Sequence, residues 1–133
     1  MSPSSSLGLY TLFIACLTAL FITPTLAAPI SELVARAGFT GRATYFEVGL
    51  GSCGQSSANA EYIVALNPST YASGSHCGQQ IQITDPKSGV SATATVRDTC
   101  PGCGPNDLDM SPALFRAFAP LERGTFQMEW SFV

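Results

Sequence analysis

The chain has 133 residues, with six Lys and Arg against nine Asp and Glu and a net charge of −3. That length accommodates one domain, and an acidic balance with no cluster of Lys or Arg excludes nucleic acid and anionic membrane surfaces as expected partners. No internal repeat and no Pro-, Ser- or Gly-rich linker divides the chain.

Residues 7–22 form an apolar run, followed by Thr23-Pro24-Thr25-Leu26-Ala27-Ala28. The run is shorter than the roughly 20 residues needed to cross a bilayer, and it ends in small residues, so residues 1–27 are read as a secretory signal peptide even without a basic start. Residues 28–38 have no clear period and read as a short tail or propeptide. Residues 39–133 are then the mature domain, expected to be extracellular and monomeric. Cys16 falls inside the signal, which leaves Cys53, Cys77, Cys100 and Cys103. An even number in a small secreted chain implies two disulfides.

The element signals are mostly those of strands. Residues 41–47 are β-prone and are stopped by Gly49 and Gly51; residues 62–66 are an apolar run ended by the turn dipeptide Asn67-Pro68. Residues 80–84 alternate, Asp85-Pro86-Lys87-Ser88-Gly89 makes a hairpin loop, and residues 90–96 alternate again. At the C-terminus Phe126, Met128, Trp130 and Phe132 alternate with polar residues, which predicts a strand with one buried face. The single helix signal starts at Ser111, a side-chain N-cap, with Pro112 at the first helical position, Leu114, Phe115 and Phe118 on the apolar face, and Pro120 as the stop. Five or six short strands with one or two short helices predict a mostly-β fold, a small barrel.

Residues 96–115 hold two of the cysteines and three of the four Asp residues. Asp98 ends a strand, Asp109 stands two residues before the helix cap, and the turn between Cys100 and Cys103 can bring them together. Two neighbouring carboxyls are pushed to different pKa values, so that one can act as a general acid. The simpler reading has Asp109 capping the helix and Asp98 accepting loop N–H bonds. Cys100-Pro-Gly-Cys103 has the spacing of a redox pair or half a zinc site, but Pro and Gly keep it in a loop, and disulfides are expected in an oxidising compartment. No metal and no cofactor is expected. His76, the sole histidine, has no nucleophile placed with it and reads as a solvated loop residue.

Residues 39–133 resemble the double-psi β-barrel proteins: the first domain of expansins, barwin, the rare lipoprotein A proteins, family-45 endoglucanases and the small fungal loosenins. The resemblance is carried by Gly41-Arg-Ala-Thr-Tyr-Phe46, Gly51-Ser-Cys-Gly54, Val64-Ala-Leu-Asn-Pro68, Cys77-Gly78, Val96-Arg-Asp-Thr-Cys100 and Asp107-Leu-Asp-Met-Ser-Pro112, in that order. It implies a six-stranded double-psi β-barrel in which Asp109 is the required acid, Asp98 the second required Asp, and Thr44 a groove-lining residue. Tyr45, Glu47 and Asp107 are the candidate polysaccharide contacts. Bacterial expansins carry a tyrosine two residues after the Asp matched by Asp98, where this chain has Cys100. Glu47 falls near the catalytic base of family-45 enzymes, while expansin-like proteins generally lack a working base and do not hydrolyse.

The implied function is binding of a cell-wall polysaccharide, cellulose or chitin, and its loosening without net hydrolysis. A protein-binding module on the same barrel, such as a protease inhibitor or a secreted effector, is the second reading, with the contacts made by loops such as 49–57 or 71–76. A weak endoglucanase is the third. By the same resemblance Cys53 pairs with Cys77, which leaves Cys100 with Cys103; Cys53–Cys103 with Cys77–Cys100 is the competing pattern.

Overall fold

The computed structural model describes residue 27 and residues 38–133. The signal segment and the tail expected over residues 1–38 lie outside the described residues, apart from Ala27 and Gly38. Six strands are present: β1 (Phe39–Tyr45), β2 (Ile63–Leu66), β3 (Gln80–Thr84), β4 (Ser91–Thr99), β5 (Leu108–Met110) and β6 (Phe126–Phe132). They close into a barrel in the order β1-β5-β2-β4-β3-β6. Two pairs are parallel, β1 with β5 and β2 with β4, and the rest are antiparallel. The connection from β1 to β2 therefore crosses β5, and the connection from β4 to β5 crosses β2, so the two loops interlock. This is the double-psi barrel that the sequence resemblance implied.

Alternation explains the interior. Ala43, Val64, Leu66, Ile81, Ile83, Ala94, Val96, Leu108, Met110, Phe126, Met128 and Trp130 all turn inward into one cluster. Two short helices flank the barrel, α1 (Pro68–Tyr71) and α2 (Pro112–Arg116). The Ser111 hydroxyl caps α2 by accepting from the Leu114 N–H, and Leu114 and Phe115 bury against the core. The helix ends at Arg116, shorter than the signal up to Pro120 predicted, because Ala117 to Ala119 close over the Leu114 and Phe115 carbonyls as a tightened turn. α1 was not expected: Asn67-Pro68 was read as a turn, but Asn67 caps the Thr70 N–H at 3.1 Å and Pro68 takes the first helical position.

β5 was also missed as a strand, being three residues long inside a loop-like sequence. It is held from both sides, by β1 and by β2. The hairpin between β3 and β4 forms as read: Asp85 accepts from the Lys87 N–H at 2.9 Å and from Ser88 Oγ at 3.0 Å, and the Lys87 bond is the main reason its pKa is lowered. Among the described residues no helix is long and apolar enough to cross a membrane.

Cys53 pairs with Cys77 and Cys100 with Cys103. The first closes a loop of sequence separation 24 and the second one of separation 3. On loop entropy, removing the long bridge with paired serines is expected to cost about 3.5 kcal/mol and removing the short one about 2 kcal/mol. Thermal unfolding of the two double variants checks the order, and a larger loss from the short bridge would contradict it.

Candidate functional site

The outer face of the barrel carries one row of side chains across four strands. Thr44 on β1 pairs with Asp109 on β5, Asp109 with Ala65 on β2, and Ala65 with Asp98 on β4. Residues in register on adjacent strands point to the same face, so Thr44, Asp109 and Asp98 share that face, with the covered Ala65 in register between Asp109 and Asp98.

Strict alternation would not give this arrangement. Ala94 and Val96 face the core, and a regular strand would send Asp98 inward after them. The pairing of β2 with β4 slips instead: Val64 opposes Val96, but Ala65 opposes Asp98, which leaves Arg97 as an extra residue in a β-bulge. The slip turns Asp98 to the outer face and sets Thr99 opposite Leu66. The β1–β2 loop holds the bulge. The Cys53 N–H donates to the Arg97 carbonyl at 3.2 Å, and the Ser52 N–H donates to Asp98 Oδ1 at 2.9 Å. Gly51 makes this approach possible, since a Cβ there would stand 2.2 Å from the Arg97 carbonyl oxygen. The Cys53–Cys77 bridge ties the same loop to the segment before β3.

The two carboxyls sit in different surroundings. Asp98 Oδ1 accepts from two backbone N–H groups, Ser52 and Thr99, the latter at 2.8 Å. Asp109 is half-buried and accepts the Thr44 hydroxyl on Oδ1 at 2.9 Å. Its pKa is raised, chiefly by burial; the Thr44 bond opposes the rise and the charge of Asp98 adds to it. Asp109 does not cap α2, a role taken by Ser111. Beside it, the Cys100 sulfur lies 3.9 Å from Asp109 Oδ2. A disulfide sulfur has no proton to donate, so this is a contact that walls the site. Ligand-type atoms of Cys100, Cys103 and Asp109 lie within 4.8 Å of one another, but both sulfurs are spent in the disulfide and offer no thiolate.

The remaining candidates lie around the row. Tyr45 is exposed at the end of β1 with its ring 5.0 Å from that of Phe115. Glu47 is beyond β1, and its carboxylate accepts the Asn59 side-chain amide. Asp107 staples the β4–β5 loop: its carboxylate accepts from the Arg42 N–H at 2.8 Å and the Gly104 N–H at 3.2 Å, and pairs with the Arg42 guanidinium at 3.5 Å. His76 is half-buried rather than solvated, stacked on Phe132 at 4.4 Å and bonded through Nδ1 to Gln79. Next to the row, a depression of about 380 Å³ is lined by Asn67, Thr70, Cys103, Pro105 and Asn106 among others. Cys103, in this lining, has its sulfur within 4.8 Å of an Asp109 carboxylate oxygen, which places the depression beside Asp109.

Gly51, Ser52, Ala65 and Arg97 are the residues of this site that sequence reading passed over. The Gly51-Ser-Cys53 motif stands out in the sequence, but its use, to hold a bulge some 45 residues further on, carries no local signal.

A closed six-stranded barrel with two interlocking parallel pairs is an expansin-like double-psi β-barrel. The chain belongs to that family. It is 31% identical over 103 residues to the papain inhibitor of Streptomyces mobaraensis, covering 71% of each chain. It is 40% identical over 88 residues to an Asp f 7 allergen homolog of Arthroderma benhamiae, covering 57% of this chain but 27% of that protein. Among solved structures, the Streptomyces papain inhibitor superposes with a TM-score of 0.63 at 28% identity, covering 72% of this chain and 94% of that one. A Clavibacter michiganensis expansin variant in complex with cellohexaose superposes with a TM-score of 0.64 at 26% identity, covering 72% of this chain and 50% of that one. No family model matches the chain.

Proposed function

We propose that the chain is a secreted protein that binds a cell-wall polysaccharide, cellulose or chitin, on the Thr44–Asp109–Ala65–Asp98 row and loosens it without net hydrolysis. The observation that carries this reading is the bulge at Arg97, which turns Asp98 out beside Asp109 on a face bordered by an open depression. A cellohexaose complex of an expansin with the same fold supports it. Asp109, whose pKa is raised by its burial, is the carboxyl better suited to donate a hydrogen bond to a glycosidic or hydroxyl oxygen, with Thr44 fixing its orientation. Asp98 is held in place by the Ser52 and Thr99 N–H groups. An inverting hydrolase needs a free base to activate water across from the acid, and here Asp98 is engaged by two backbone donors and Glu47 by Asn59.

The test is retention of the secreted chain on cellulose and on chitin, with the supernatant assayed for reducing ends. Retention without sugar release is the expected result. Release that depends on Asp109 would make the protein a glycoside hydrolase, and the absence of retention on either polymer would overturn the reading.

A second reading, inhibition of a papain-type cysteine endopeptidase, is favoured by the papain inhibitor relative, a chain that this one covers almost completely in structure. On that reading the barrel presents a loop to a protein, and Asp98 serves to hold the loop.

A further inference from the structure

Among the described residues, Leu50 is the most exposed large apolar side chain, at 75%. It lies in the β1–β2 loop, on a small hairpin. The Ser57 N–H donates to the Gly49 carbonyl at 2.9 Å and the Gly51 N–H to the Gln55 carbonyl at 3.0 Å, with Leu50 opposite Ser56 between them. In such a pair the backbone N–H and C=O of Leu50 point away from Ser56, and neither engages another backbone group among the described residues. Leu50 therefore presents a free strand edge and an apolar side chain at the same place.

The hairpin is held at several points. Gly54, at φ 86°, makes the tip turn and donates to the Gly51 carbonyl at 2.9 Å. Cys53 is tied to Arg97 and bridged to Cys77, Ser52 is tied to Asp98, and the base is clasped where the Val48 N–H donates to Asn59 Oδ1 at 2.9 Å. A loop fixed in this way loses little conformational freedom on binding. A leucine has no ring to stack on a sugar face, so the polysaccharide reading leaves this feature unused.

Resting on the protease reading above, we infer that residues 49–51 enter the substrate cleft of a papain-type cysteine endopeptidase. The edge of Leu50 pairs with the cleft backbone as an added strand, and its side chain fills an apolar side-chain pocket. The expected effect of losing the anchor follows from burying one leucine, about tenfold to a hundredfold in inhibition.

The experiment measures inhibition of papain by the wild-type chain and by its Leu50→Asp, Leu50→Ala and Leu50→Met variants, with cellulose retention followed in parallel. Leu50→Asp is expected to weaken inhibition about tenfold or more, Leu50→Ala about tenfold, and Leu50→Met by less than about threefold, with retention on cellulose unchanged in all three. The side chain is exposed, so unchanged thermal unfolding is expected for each variant. Wild-type inhibition that Leu50→Asp and Leu50→Ala leave intact would overturn the assignment of this loop while sparing the protease reading. A wild-type chain that does not inhibit papain would overturn both. A change in cellulose retention without a change in inhibition would assign Leu50 to the polysaccharide instead.

Discussion

Asp109→Asn is expected to abolish polysaccharide loosening and, at neutral pH, to make the protein more stable. The two effects have one origin. Burial raises the pKa of Asp109 above its ordinary 3.8, the charge of Asp98 adds to the rise, and the Thr44 bond offsets part of it. A carboxyl whose folded pKa is raised contributes its stability in full below the unfolded value, and that contribution is lost as pH rises through the folded value. Wild type should therefore match the Asn variant near pH 3, fall progressively below it as the pH rises from the ordinary 3.8 through the raised pKa of Asp109, and stay below it by a constant amount above that. Asn keeps an oxygen to accept the Thr44 hydroxyl, so the fold is retained; what it loses is the ionisable carboxyl. Thermal unfolding of both proteins from pH 3 to 8, alongside a loosening assay, checks this. A variant that is less stable at neutral pH, or one that still loosens cellulose, would show that Asp109 serves the fold rather than the site.

Gly51→Ala should be nearly as damaging by a different route. The new methyl group would stand 2.2 Å from the Arg97 carbonyl oxygen, which is backbone and has little freedom to retreat. Either the loop lifts away from β4 or the bulge shifts. Both outcomes break the Ser52–Asp98 and Cys53–Arg97 bonds and let Asp98 leave the row. Overpacking of this kind costs about 2–3 kcal/mol, roughly 10 °C in Tm for a domain of this size. Gly49→Ala is the matched control in the same loop: a Cβ at Gly49 meets nothing within 4 Å and its φ is not positive. Calorimetry and the loosening assay on both variants decide. If Gly51→Ala unfolds and acts like Gly49→Ala, the bulge does not depend on this contact.

The barrel was legible where the chain alternates. β3 has the predicted ends, β6 shows its buried face, and β1, β2 and β4 differ from expectation by one to three residues at their ends. Ser111-Pro112 announced a helix because its cap is chemical and local, yet the same logic at Asn67-Pro68 was read as a turn, since no apolar face follows it. β5 escaped because three residues cannot display a period, and only its neighbours on both sides make Leu108–Met110 a strand. The two Asp residues were found from sequence; how they come to share a face was not. Alternation along β4 points Asp98 into the core, and the slip that reverses it is imposed by the distant Gly51–Cys53 loop. His76 was misread for a related reason, as Phe132, the ring that covers it, lies 56 positions away in the chain.

The row of Thr44, Ala65, Asp98 and Asp109 draws its members from four strands that are neighbours only once β5 lies between β1 and β2. No fragment of the chain holds a partial version of it. A nascent chain has no working site until residue 109 has emerged and threaded between β1 and β2, and a molecule clipped in either crossing loop should lose its action while much of its sheet survives. Activity in such a protein reports on complete assembly, whereas strand content reports only on its approach.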